Sequence, residues 1–105
     1  MTTTKPNLPY PVGALEVHDW EPGGTRKFFG TSRVVDIEFA DFGPLSVMIA
    51  GVQRSSDGSM VRRLVLNDEY SRAIDTRQAR QLARQLIAAA DEIDWLSAAD
   101  ARIKQ

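Results

Sequence analysis

Apolar and polar positions divide the chain into a strand-rich body and one strongly periodic closing stretch. Over residues 75–93, Ala79, Leu82, Ala83, Leu86, Ile87, Ala90 and Ile93 recur at steps of three and four, the spacing that lines one face of a helix. Asp75 stands where a cap is wanted, and Gln78 three residues later is placed to reach back to its backbone N–H. This capping-box signature starts the helix at Thr76. Its apolar face, Leu82, Leu86 and Ile87 foremost, is expected in the core. Residues 94–100 continue or restart the helix, Ser97 with Asp100 resembling a second cap.

The body reads as strands and turns. Val35, Ile37 and Phe39 alternate with Asp36 and Glu38, the pattern of a half-buried strand over residues 33–39. Residues 45–54 are apolar on both faces: Leu45, Val47 and Ile49 need one cover, and Met48, Ala50 and Val52 need another. This is the pattern of a central strand, with the helix on one side and the N-terminal arm or a second subunit on the other. Gly51 within it marks a bulge or a close backbone approach. Asp57-Gly58 centres a hairpin turn over residues 55–59. The return strand over residues 60–66 then puts Leu64 and Leu66 on one face and Val61, Arg63 and Val65 on the other. Upstream, Glu21-Pro22-Gly23-Gly24 makes a turn within a looser hairpin over residues 16–29. Pro6, Pro9 and Pro11 make residues 1–15 an extended arm, docked on the body or free. The expected fold is α+β, with residues 16–105 as a single domain. In it, one long C-terminal helix packs on one face of a small antiparallel sheet of three to five strands.

Composition narrows the function classes. The chain of 105 residues is 43% hydrophobic and 26% charged, ordinary values for a globular domain. No apolar run approaches the roughly 18 residues of a membrane helix. The first residues lack the apolar core of a secretory signal, so a location in the cytoplasm or a virion is expected. Without cysteine there is no disulfide, thiolate metal site or thiol nucleophile. The net charge of −1 conceals ten basic against seven acidic residues over 26–84 and two against four over 85–105. That basic excess is far below what a dedicated nucleic-acid binder carries.

Catalytic candidates are few. His18 has Glu16 and Asp19 for neighbours, too few converging ligands for a zinc site. Gly23, Gly24 and Gly30 form no phosphate-binding pattern, and the serines near Gly58 lack a nucleophile elbow. Asp91, Glu92 and Asp94 read as a solvated helix end. No enzymatic activity, metal or cofactor is expected. More telling is a stripe of Arg77, Arg80 and Arg84, which crowds the positive end of the helix dipole at a cost of about 0.3–1 kcal/mol for each misplaced charge. With Trp20 and Trp95 outside a small core and Met48 on the uncovered strand face, these arginines are the candidate partner-binding residues. The expected function is a non-enzymatic protein-interaction module, with a homodimer as the expected assembly. The alternative is a nucleic-acid binder using the stripe with Arg54, Arg62 and Arg63.

The strand Val47-Met48-Ile49-Ala50-Gly51-Val52-Gln53, the turn Ser56-Asp57-Gly58-Ser59 and the helix over residues 76–92 resemble small uncharacterised strand-hairpin-helix proteins of mycobacteria and mycobacteriophages. Those proteins pair an apolar strand ending in Gly-x-Gln with an Asp-Gly turn and a closing helix rich in Ala, Arg and Leu. The likeness covers residues 45–93. It implies an actinobacterial or phage source and a role as an accessory protein, and it carries no site residues.

Overall fold

The computed structural model describes residues 7–36, 45–67 and 73–103. Strands β1 (Glu16–Val17), β2 (Thr25–Asp36), β3 (Leu45–Arg54) and β4 (Met60–Asn67) precede one helix, α1 (Thr76–Ile103). The strands form a single sheet in the order β1-β2-β3-β4, each pair antiparallel, so the architecture is α+β. The β3–β4 hairpin closes as its Asp-Gly pair requires. Gly58 takes a φ of 72°, its N–H donates to the Arg54 carbonyl at 3.0 Å, and the Asp57 carboxylate accepts from the Ser59 N–H at 2.9 Å.

Strand β2 unites two segments that the sequence suggests separately, the return arm of the first hairpin and the strand starting near Arg33. Register shifts between Phe29 and Ser32 and between Val34 and Asp36 let it run on. These irregularities turn Val35 to the helix side, where it is buried, and leave Val34 exposed. Ile37 and Phe39 lie outside the described residues.

The helix starts at Thr76, held by the expected box: the Asp75 N–H donates to Gln78 Oε1 at 2.9 Å, and the Gln78 N–H donates to Asp75 Oδ1 at 2.7 Å. It runs through Ser97 and Asp100 to Ile103. Its buried face differs from the expected one. Ile87 is 63% exposed and Ala79, Ala83 and Ala90 also face solvent, whereas Gln78, Ala89 and Leu96 are buried and Leu82, Leu86 and Ile93 are partly so. At 100° per residue, the buried face is rotated by about 80° from the centre of the alanine-containing stripe.

Ionic partners on the sheet explain the rotation. Glu92 accepts hydrogen bonds from Thr31 Oγ1 and an Arg33 terminal nitrogen, each at 2.8 Å. Asp100 pairs with Arg62, whose side chain is only 3% exposed. Glu92 therefore turns inward while Asp91 and Asp94 remain in water, and Asp100 serves as a counter-ion instead of a cap. A methyl group left in water forfeits about 0.8 kcal/mol. A buried guanidinium stripped of its partner costs about 3–5 kcal/mol.

Between the ion pairs lies the core of Val35, Leu45, Val47, Ile49, Ala89 and Leu96, with Val12, Leu64, Leu82, Leu86 and Ile93 packed around it. Beside it Phe28, 1% exposed, lies flat on Gly51, where an added Cβ would sit 2.3 Å from the ring. Gly51 is thus the close-approach glycine. Residues 7–15 dock on this same side. Arg26 donates to the carbonyls of Leu8 at 3.3 Å and Pro9 at 3.0 Å, and Arg62 donates to that of Val12 at 3.3 Å.

Two substitutions test this packing by chemical denaturation. Leu96→Ala should cost about 2–5 kcal/mol, whereas Ile87→Ala should change stability by no more than about 0.5 kcal/mol. Gly51→Ala should cost about 1–3 kcal/mol, because Phe28 must leave its rotamer to admit the methyl group.

Candidate protein-interaction surface

Side chains alternate along each strand, so the register assigns every residue to a face. Leu45, Val47 and Ile49 point to the helix. Met48, Ala50 and Val52 point away, with Phe29 and Lys27 beside them on β2 and Val61, Arg63 and Val65 beside them on β4. This second face is apolar and open: Val34 is 47% exposed, Val52 39%, Val61 49% and Val65 39%. Phe29, Met48 and Ala50 are half-buried among them. A shallow hollow of ≈ 210 Å³ lies over its middle, between Phe29, Ala50, Val52 and Val61 and the stems of Lys27 and Arg63. Four partly exposed valines on one sheet face exceed the scattered apolar exposure usual for a surface.

The partner-binding residues expected from sequence do not converge. Met48 is on the open sheet face. Arg77, Arg80 and Arg84 are exposed on the outer side of the helix, and Trp95, 62% exposed, shares that side, across the sheet from Met48. Trp20 stacks on Arg26, its ring centroid 4.4 Å from the guanidinium carbon, with Tyr10 at 5.2 Å from the same group. Arg26 also donates through Nε to Gln53 Oε1 at 2.8 Å. It is 5% exposed. Trp20 therefore helps to fasten the arm to the sheet. A further hollow of ≈ 190 Å³ opens beside this fastening, mostly apolar and walled by Leu8, Tyr10, Val12 and Met60.

Phe29 and Val34, which enlarge the open face, escape a sequence reading. Phe28 and Phe29 are adjacent and equally apolar, and only the pairing of Phe28 with Gly51 decides which one enters the core. The basic residues of a nucleic-acid surface are likewise divided. Arg62 is buried against Asp100, and Arg54 and Arg63 share the open face, on the opposite side of the molecule from the helix stripe.

His18 sits 3.5 Å from Glu16, with its ring 5.1 Å from that of Phe29. Among the described residues, no three His, Asp or Glu side chains are grouped to hold a metal ion. Nor is any helix among them long and apolar enough to cross a membrane. No family model, curated protein or solved structure matches this chain.

Arg26→Ala should release the arm while sparing the sheet. The expected result is a red-shifted Trp20 emission, read in a Trp95→Phe background, together with protease cleavage near residues 7–12 and unchanged circular dichroism.

Proposed function

We propose that this protein is a non-enzymatic protein-interaction module whose contact surface is the open face of the sheet. The carrying observation is the division of labour in the fold: one helix and the docked arm occupy one side, while Val34, Val52, Val61 and Val65 stay partly in water on the other. Covering an apolar sheet face recovers about 25 cal/mol for each Å² removed from water, which supports contact with another protein. The likeness of residues 45–93 to mycobacterial and phage proteins supports an accessory role in an actinobacterial host, in its cytoplasm or in the virion. Nucleic-acid binding is the weaker reading, because the exposed arginines fall on two opposite sides and the net charge is −1.

Site-specific photo-crosslinking in an actinobacterial host tests this. A benzophenone side chain at position 61 should give protein adducts, and the same group at position 87 on the back of the helix should give none. Adducts at 87 alone, or at neither position, would contradict the proposal. Retention on duplex DNA at about 0.15 M salt, lost on replacing Arg77, Arg80 and Arg84 together by glutamine, would favour the nucleic-acid reading.

A further inference from the structure

We infer that the occupant of the open face is a second copy of this chain, packed face to face about a two-fold axis parallel to the strands and running between β2 and β3. The inference rests on reading the open face as the contact surface, and the charge order across the sheet supplies the partner. The pairing register aligns Glu16 of β1, Phe29 of β2, Ala50 of β3 and Arg63 of β4 in one row across the sheet. An acid stands at one end, a base at the other, and a large and a small apolar side chain stand between them.

Rotation about an axis along the strands keeps each row at its own level and reverses its order. Glu16 then meets the partner's Arg63 at both ends, and Phe29 meets the partner's Ala50. The same operation carries Val52 of the next row onto the stem of the partner's Lys27, whose ammonium already lies 3.8 Å from Glu21 at the rim. An axis across the strands would instead set Glu16 on Glu16 and Arg63 on Arg63, and like charges directly opposed are destabilising. The charges thus select one of the two face-to-face arrangements, and the large-against-small pairing lets the sheets approach to the ordinary spacing of about 10 Å.

Size agrees with a modest, reversible contact. With strands about 4.8 Å apart and rising about 3.3 Å per residue, the two residues of β1, twelve of β2, ten of β3 and eight of β4 present roughly 500 Å² per copy. The pair would bury about 1,000 Å², the lower bound for a specific interface.

Sedimentation equilibrium on the full chain tests the inference. Glu16→Arg and Arg63→Glu should each weaken self-association at least about tenfold by opposing like charges at both ends, and the double variant should return to within about threefold of the parent. The Glu16 side chain is 66% exposed and Arg63 is exposed, so neither change threatens the fold. A parent chain that stays monomeric at about 0.5 mM, single variants that associate normally, or a double variant that fails to recover would each overturn the inference. A monomeric chain that still crosslinks a different protein from position 61 would overturn the second copy and leave the interaction module standing. No adducts at all would remove both.

Discussion

Two carboxylates on one side of the helix, Glu92 and Asp100, determine how it lies on the sheet. They stand eight residues apart, about 12 Å along the axis. Their partners Arg33 on β2 and Arg62 on β4 are separated by two strand spacings, about 10 Å, with β3 between them. The helix therefore crosses β3 diagonally. This pins its azimuth, directs Ala89 and Leu96 onto Val47 and Ile49, and leaves Ile87 in water. Arg62 adds further constraints: its guanidinium lies 5.6 Å from the Phe28 ring and donates to Val12 at 3.3 Å. One buried cation thus joins sheet, helix and arm.

With helix and arm committed to one side, the composition of the other side becomes a functional matter. A solitary sheet with only one face covered places polar residues on its wet face. Here that face carries Phe29, Met48, Val52, Val61 and Val65, with Glu16 and Arg63 at the ends of one row, Lys27 in the next and Arg54 at the end of β3. An apolar middle with charge at the rim supports the proposed protein contact.

Much of this was legible in the sequence, and the failures share a cause. The capping box, the Asp-Gly hairpin and the two-faced β3 are local patterns, and each folds as its residues suggest. The azimuth of the helix was not legible, because seven apolar residues that include three alanines make a convincing stripe. Glu92 and Asp100, which point inward, look like solvent residues until Arg33 and Arg62 are placed opposite them. Trp20 is similar: an aromatic ring outside the apolar core suggests a contact surface, and its stacking on Arg26 of the neighbouring strand becomes visible only in the fold. Polar residues bury only with partners, and those partners are distant in sequence, as Arg62 and Asp100 are. On the open face, Met48, Val52 and Val61 were legible from alternation alone, whereas Phe29 needed the register.

The most direct test of the account is isotope-filtered nuclear Overhauser spectroscopy on a mixture of labelled and unlabelled chains, which detects only contacts between copies. A face-to-face pair should give cross-peaks from the Phe29 ring of one chain to the Ala50 methyl of the other, with none from Ile87 or Trp95. Intermolecular cross-peaks confined to the back of the helix, or none from the open face while the chain sediments as a dimer, would contradict it.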